Sequence, residues 1–267
     1  MSIREAFIQN ENLYIENNLY YQKNLIRPAP FEKLYLGLRE KESRLYPENL
    51  VQNLPEIPIH HPLHSEWIVR KKSLDLLVRY LVGKNSVQRI LEVGCGNGWL
   101  SNRLAQELPA EICGVDVNEF ELKQAVRLFD DQNRLSFVYA SIWESFLPTA
   151  SFEVIILASS APYFPDLKLL IQRLLKFNSL NGEIHILDTP LYRSAQESDA
   201  AQKRSRDYFN SIGFPQMADN YFHHNFDALA DFDCTVMYNP TSLLSRFLKN
   251  IAHLPLSPFP WIRIKSK

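Results

Sequence analysis

Three glycines at alternate positions, preceded by a carboxylate, form the stretch of this sequence best suited to bind a ligand. The aliphatic run at residues 90–93 is followed by Gly94, Gly96 and Gly98, and a helical pattern begins at Leu100. Glycine reaches positive φ without a steric penalty and lets backbone N–H groups approach a ligand. The N-terminus of the following helix adds partial positive charge. The stretch therefore predicts a strand, a ligand-binding loop and a helix.

The spacing of these glycines indicates which ligand the loop binds. Dinucleotide-binding loops carry G-x-G-x-x-G, with the last glycine beside a pyrophosphate, whereas the pattern here is E-x-G-x-G-x-G. The carboxylate of Glu92 would repel a pyrophosphate if it pointed into the site, and it would attract an ammonium or sulfonium group. We therefore expect the loop to bind a ligand with positive charge. The residues of this predicted site are Glu92, Gly94, Cys95, Gly96 and Gly98.

A second carboxylate is placed to bind a nucleoside. Asp116 ends the short apolar strand Glu111–Asp116, about 20 residues past the glycines, where Rossmann-like folds place an acid that accepts both ribose hydroxyls. The alternative role, capping of the helix that opens at Asn118, does not exclude the first one. Asp116 is therefore the second predicted anchor of the ligand.

The glycine stretch resembles motif I of the class I methyltransferases that use S-adenosylmethionine (SAM), and the resemblance extends over residues 87–188. It implies SAM as cofactor and S-adenosylhomocysteine (SAH) as product. It also implies further cofactor contacts at Val117, Ser141, Ile142 and Ala158. Relatives of this kind often carry an acid that meets the adenine amino group where this chain has Ser141. We expect a backbone amide of Ser141 or Ile142, and apolar packing by Ile142, in its place.

The order of elements predicts an α/β fold. Strands and helices alternate from about Val87, and the predicted strands end at or beside polar or small residues that would meet at one edge of a parallel sheet. These are Glu92, Asp116, Ser141, Ala158 and Asp188. Together with the resemblance, this order implies a Rossmann-like, seven-stranded, mostly parallel sheet. The sheet would be closed by an antiparallel C-terminal hairpin, with a helix around Leu243 to Leu248 between its strands.

Two regions follow from this reading. Residues 1–85 are predicted to form an N-terminal helical cap or lid. Residues 86–267 are predicted to form the SAM-binding methyltransferase domain, with its core at 86–190 and its substrate-side elements and closing hairpin at 191–267.

The implied reaction is methyl transfer of the EC 2.1.1 class, by direct in-line displacement, to a small-molecule acceptor. SAM carries an activated methyl group, so positioning and exclusion of water are the main catalytic terms. The fold therefore has no universal catalytic residue, and a general base is needed only for a protonated nucleophile. Candidate catalytic residues are Tyr163, in the loop after the fourth core strand, and His223 and His224, in an aromatic segment.

Two other functions stay open at this stage. One is an NAD-dependent oxidoreductase on a similar fold, which the glycine spacing and Glu92 disfavour. The other is a catalytically silent protein that binds SAM, or nothing, and acts as an interaction module through its aromatic N-terminal region.

Composition excludes several classes of partner. The chain has 267 residues and a net charge of −1, so no overall field favours nucleic acid or an anionic membrane. Its three cysteines lack the spacing of a zinc site or disulfide framework, and Pro62 interrupts the cluster of His60, His61 and His64. We therefore expect no metal. No apolar run reaches the length of a membrane span, and we expect a cytoplasmic protein.

Overall fold

The structure, a computed structural model, describes residues 2–25, 29–84, 87–129, 134–144, 146–243, 245 and 256–266. Its strands are β1 Leu13–Glu16, β2 Leu19–Gln22, β3 Arg89–Val93, β4 Glu111–Asp116, β5 Leu135–Tyr139, β6 Phe152–Ala158, β7 Asn178–Leu187, β8 Leu191–Tyr192, β9 His224–Asn225, β10 Asp233–Tyr238 and β11 Trp261–Lys265. Its helices are α1 Ile3–Ile8, α2 Ala29–Lys41, α3 Glu48–Val51, α4 His64–Val82, α5 Trp99–Glu107, α6 Glu119–Phe129, α7 Leu167–Leu175 and α8 Ala195–Ser211. Short 3-10 turns lie at Ala161–Tyr163, Pro215–Asp219 and Phe226–Leu229.

One large sheet organises the molecule, with the strand order β1-β2-β5-β4-β3-β6-β7-β11-β10. The pairs from β2 across to β7 are parallel, and β11 pairs antiparallel with both β7 and β10. The predicted α/β sheet, mostly parallel with an antiparallel C-terminal hairpin, is therefore confirmed. The helix predicted around Leu243 to Leu248 falls largely outside the described residues.

Two strands that the sequence reading did not predict extend this sheet. The region expected to be a helical cap contains the hairpin β1–β2, whose second strand pairs in parallel with β5. Asn17 and Asn18 form its turn with φ of 48° and 63°, the left-handed conformation that a two-residue hairpin requires. The N-terminal region is thus partly sheet, and the described residues form a sheet of nine strands.

Apolar side chains on both faces of the central strands form the core. Along β6, Val154 and Ile156 pack with α4, α5 and α6 on one face, and Ile155 and Leu157 pack with α1 and α7 on the other. These residues are almost fully buried. Burial of each such side chain stabilises the folded state by roughly 1.5–3 kcal/mol. Burial on both faces explains why the sequence of β6 is a continuous apolar run.

Two helices outside the sheet close the end where the parallel strands finish. Leu38 of α2 and Phe209 of α8 share a small apolar cluster with Met217. A Cβ atom on Gly37 would lie 3.1 Å from the ring of Phe214, so glycine lets α2 approach this cluster closely. The cap over the carboxyl ends therefore comes from both the N-terminal and the C-terminal regions of the chain. Among the described helices, none is long and apolar enough to cross a membrane.

We predict that the hairpin is an integral part of the fold. Leu19 of β2 is 1% exposed within the core, whereas Ile15 of β1 is 54% exposed. Leu19→Ala should lower the free energy of unfolding by about 2–5 kcal/mol because it leaves a cavity, and Ile15→Ala should change it by less than about 0.5 kcal/mol. Urea unfolding of both variants measures this, and equal small effects would show that the hairpin is dispensable.

Candidate functional site

A cavity of about 960 Å³ lies at the carboxyl ends of β3, β4, β5, β6 and β7. The register brings these ends together, since Glu92 lies opposite both Gly114 of β4 and Ile156 of β6. Helices α2, α4 and α8 supply the remaining walls. This volume is at the upper end of the roughly 300–1,000 Å³ typical of small-molecule sites, so the cavity has room for more than one ligand.

The glycine loop forms one wall of this cavity. The N–H groups of Gly94 and Cys95 both donate to the carbonyl of Val115 on β4. A Cβ atom on Gly94 would lie 2.4 Å from the Cβ of Ser160, so only glycine lets the loop after β6 approach the loop after β3. Gly96 faces the cavity, and its N–H donates to Asp116 at 2.7 Å.

Asp116 joins the loop to the end of β4. One carboxylate oxygen accepts the N–H of Gly96, and the other accepts the N–H of Asn118 at 2.8 Å. The side chain of Asn118, rather than that of Asp116, caps α6 by accepting the N–H of Glu121. Burial raises the pKa of Asp116, while the N–H donors oppose that rise. Each carboxylate oxygen has two acceptor sites, so capacity remains for ligand hydroxyls.

Glu92 is enclosed at the end of β3, with 2% of its surface exposed. It accepts a hydrogen bond from the hydroxyl of Ser101 on α5. Burial raises the pKa of Glu92 to about 8, the Ser101 hydrogen bond opposes the rise, and the charge of Asp116 adds to it. A neighbouring cation would reverse this shift by favouring the carboxylate.

A third carboxyl group, Glu121, lies beside the loop and was not predicted from the sequence. It is buried in the first turn of α6, and a Cβ on Gly96 would lie 3.3 Å from its Oε2. Burial raises the pKa of Glu121 to about 7, the charge of Arg39 opposes this, and Asp116 adds to it. Acidic residues are common in the first turn of solvent-exposed helices. The sequence pattern therefore does not distinguish Glu121 from an exposed carboxylate.

The other predicted cofactor contacts also reach the cavity. Cys95, Val117, Ser141, Ile142 and Ala158 all lie in its wall. The backbone N–H of Ser141, expected to be free for an adenine, donates instead to the side chain of Gln22 on β2, at 3.0 Å. The N–H of Ser141 is therefore already hydrogen-bonded to the hairpin. We expect the N–H of Ile142 to donate to the adenine instead.

The side of the cavity away from the glycine loop is aromatic. Tyr163 lies there with its ring centroid 5.4 Å from that of Tyr35 on α2 and 5.5 Å from that of Tyr221. Phe31 and Phe209 extend the same surface. Burial raises the pKa of the Tyr163 hydroxyl, while Arg39 opposes the rise. A phenol of this kind donates a hydrogen bond and is a poor base at neutral pH.

Three predicted site residues lie outside the residues that line the cavity: Gly98, His223 and His224. The Nε2 atom of His224 lies 3.3 Å from the carbonyl oxygen of Ala161, so this side chain contacts the backbone of the loop that carries Tyr163. His223 contacts the hydroxyl of Tyr192 at 3.3 Å. Burial lowers the pKa of both histidines.

The described residues contain no group of three or more His, Cys, Asp or Glu side chains that could hold a metal ion. Of the three clustered histidines, His61 accepts the N–H of Leu63 through Nδ1. His64 contacts the carbonyl of Ile57 at 3.1 Å. Both side chains therefore stabilise the turn before α4.

This fold and this loop define a class of protein. A family model described as a methyltransferase domain matches residues 90–180, from β3 into β7. The match supports the class I SAM-dependent methyltransferase resemblance that the sequence predicted for this part of the chain. Several solved structures with this fold contain SAM or SAH, the cofactor that the sequence predicted for this chain.

Individual relatives are distant. The chain is 27% identical over 139 residues to 27-O-demethylrifamycin SV methyltransferase of Amycolatopsis mediterranei (strain S699), a match that covers 51% of each chain. It therefore spans about half the length of this curated relative.

Two solved structures share the fold at low identity. Magnesium protoporphyrin IX methyltransferase of Synechocystis PCC 6803, with bound SAH, superposes with a TM-score of 0.56 at 13% identity, covering 90% of this chain and 99% of that one. Geranyl diphosphate C-methyltransferase of Streptomyces coelicolor A3(2), in complex with Mg2+, geranyl-S-thiolodiphosphate and SAH, gives 0.53 at 11% identity, covering 79% and 83%.

We predict that Gly98 serves packing rather than ligand contact. A Cβ atom there would lie 2.5 Å from Cζ of Phe137 and 2.9 Å from Cβ of Ala125. Because φ of Gly98 is also +73°, Gly98→Ala should lower the free energy of unfolding by about 1–3 kcal/mol. Calorimetry on the folded variant should show an SAH affinity close to that of the wild type. Lost SAH binding with unchanged stability would instead assign Gly98 to the cofactor site.

Proposed function

We propose that this chain transfers a methyl group from SAM to a small-molecule acceptor bound in the aromatic half of the cavity. The observation that carries the proposal is the group of carboxyl groups around the glycine loop. Glu92, Asp116 and Glu121 all line one wall of a single cavity. The described residues contain no group of three or more His, Cys, Asp or Glu side chains that could hold a metal ion beside them.

The residues of this wall suit the chemistry of SAM. Asp116 presents two carboxylate oxygens next to Gly96, which suits the paired hydroxyls of a ribose. Glu92, beyond the first glycine, would face the amino acid and sulfonium end. SAM supplies a methyl group on positively charged sulfur, and a carboxylate attracts such a charge more strongly in a buried site than it does in water. Val117 and Ile142 offer apolar surface for the adenine ring.

The chain's own contribution to the reaction is positional. Tyr163 lies in the loop that follows β6, next to Ala158, and its ring contacts those of Tyr35 and Tyr221. These rings would hold a flat acceptor against the methyl group and keep water away. Because burial raises the pKa of Tyr163, its hydroxyl would donate a hydrogen bond to the acceptor rather than remove a proton.

We further propose that the N-terminal region acts as a lid, as its sequence predicted. Tyr35 and Arg39 of α2 line the cavity together with Tyr46. Tyr208 of α8 donates to Glu42 at 2.7 Å and so links the two capping helices. Opening of this link would widen the entrance to the cavity on the side opposite the sheet.

The direct experiment compares SAM, SAH and NADH. SAM and SAH should raise the melting temperature by mass action, equivalent to about 2.7 kcal/mol at a hundredfold excess over Kd, whereas NADH should not. Incubation with SAM and a cell extract should form SAH. Stabilisation by NADH alone would favour an oxidoreductase, and SAM binding without turnover on any extract would favour a silent binding protein.

We predict that SAM binding is coupled to deprotonation of Glu92. With a pKa of about 8 in the free protein, Glu92 is mostly protonated at neutral pH. A sulfonium beside it lowers this pKa, so SAM affinity should rise between about pH 6 and pH 8 and then level off. SAH lacks the sulfonium charge. The pH dependence of the ratio of SAM affinity to SAH affinity therefore reports the interaction of Glu92 with the sulfonium.

Calorimetry in buffers of different ionisation enthalpy measures the proton released. Glu92→Gln keeps an oxygen that can accept the Ser101 hydroxyl and cannot titrate, so it should remove the pH dependence of the ratio. A ratio that is independent of pH in the wild type would contradict a role for Glu92 at the sulfonium.

We predict that the Tyr163 hydroxyl acts on the acceptor. Once an acceptor is identified, Tyr163→Phe should lower kcat/KM by about tenfold or more with SAM affinity unchanged. The matched control is Tyr192→Phe, which removes a hydroxyl that contacts His223 outside the cavity. Wild-type turnover in both variants would exclude a role for the Tyr163 hydroxyl. A large loss only in Tyr192→Phe would instead indicate a role for His223 in the reaction.

A further inference from the structure

Arg39 stands out among the charged residues of the cavity because nothing in the described part of the chain pairs with it. It lines the cavity, its Nε atom is buried without a hydrogen-bond acceptor, and its guanidinium makes no ion pair. Arg44, by contrast, makes two hydrogen bonds of 2.8 and 2.7 Å with Glu66. Arg70 also pairs with Glu66, at 2.9 Å.

An enclosed and unpaired guanidinium is costly for a protein. Arginine does not lose its proton under ordinary conditions, and a charge removed from water needs a partner of opposite charge or a set of hydrogen bonds. The ring of Tyr35, 5.5 Å from the guanidinium, offers only a weak cation–π contact. The position of Arg39 is therefore explained by a bound anion rather than by the stability of the fold.

The surroundings of Arg39 indicate which part of the cavity this anion occupies. Its neighbour Tyr35 contacts the ring of Tyr163, 5.4 Å away, in the aromatic half. The charge of Arg39 also acts on Glu121, whose carboxyl group borders Gly96. Arg39 thus lies at the boundary between the glycine loop and the aromatic surface, where the acceptor would meet the methyl group.

We propose that Arg39 binds a carboxylate or phosphate group of the acceptor, and that the acceptor is a flat, apolar molecule carrying one such anionic group. This inference rests on the proposed methyl transfer. The paired rings of Tyr35 and Tyr163 bind the apolar body of the molecule. The planar fork of the guanidinium suits two-point binding of either anion.

The carboxylate of SAM is the other anion that this cavity would hold. It is the weaker explanation because Arg39 adjoins aromatic rings, whereas Arg70 is connected to the start of the glycine-loop helix through two ring contacts. The guanidinium of Arg70 lies 5.3 Å from the ring of Trp67, and that ring contacts Trp99, the first residue of α5. The experiment distinguishes an anionic group of the acceptor from the carboxylate of SAM.

The experiment titrates probes into the full-length protein saturated with SAH. Naphthoate and naphthyl phosphate are the anionic probes, and naphthamide is their neutral counterpart. The variants are Arg39→Met and, as a matched control, Lys41→Met, which removes an exposed charge from the same turn of α2. SAH affinity and the melting temperature of each variant are measured in parallel.

At least one anionic probe should bind the wild type about tenfold or more tightly than naphthamide. Arg39→Met should abolish this preference and Lys41→Met should keep it, with SAH affinity unchanged in both. Arg39→Met should also unfold at the same temperature as the wild type or higher, because it removes a half-buried charge that has no ion-pair partner among the described residues.

Three outcomes would overturn the inference. Equal binding of the anionic probes and naphthamide to the wild type, or no binding of any of them, contradicts a site for a flat, apolar anion. Loss of SAH affinity in Arg39→Met with the probe preference intact assigns Arg39 to the cofactor's carboxylate. Failure of SAH to bind the wild type is distinct from these, since it overturns the proposed function itself. The wild-type comparison decides the question even if a variant does not fold.

Discussion

The hydrogen bond from the N–H of Gly96 to the carboxylate of Asp116 is the interaction on which the site depends. It joins the loop after β3 to the end of β4 and fixes the loop conformation at the rim of the cavity. The same carboxylate also accepts the N–H of Asn118, whose side chain caps the N-terminus of α6. One acid thereby positions the glycine loop, the start of a helix and the wall proposed to bind a ribose.

The second constraint is electrostatic. Glu92, Asp116 and Glu121 are held close together away from bulk water, and burial raises the pKa of all three. A protein without a ligand gains nothing from such an arrangement, because each carboxylate is desolvated and repels the others. A cation at the loop and an anion at Arg39 would each give a charged side chain a partner of opposite sign, which fits the binding of cofactor and acceptor side by side.

The sequence was most informative where burial on both faces decides the pattern. Strands β4, β5 and β6 occur at the predicted bounds because each is an apolar run ended by a polar or small residue. The hairpin β1–β2 was missed although Asn17 and Asn18 are typical of its turn, since the surrounding aromatic and charged residues were interpreted as helical. The Gln22 contact to Ser141 was missed with it, because it exists only once the hairpin joins the sheet.

Residues that face the cavity from helices were harder to predict. Arg39 and Glu121 belong to the polar faces of α2 and α6, and hydrophobic periodicity treats a polar face as solvent-exposed. Only the approach of α2 to the ends of the strands encloses them. The predicted cofactor residues other than Gly98 line the cavity, and their contacts with SAM stay a prediction.

A crystal structure of the protein with SAH is the most direct test of this account. It should show the ribose hydroxyls within hydrogen-bond distance of Asp116, the amino acid end beside Glu92, and the sulfur directed toward Tyr163 and the aromatic surface. An empty cavity at saturating SAH, or SAH bound away from Asp116, would contradict the assignment of this cavity as the site of methyl transfer.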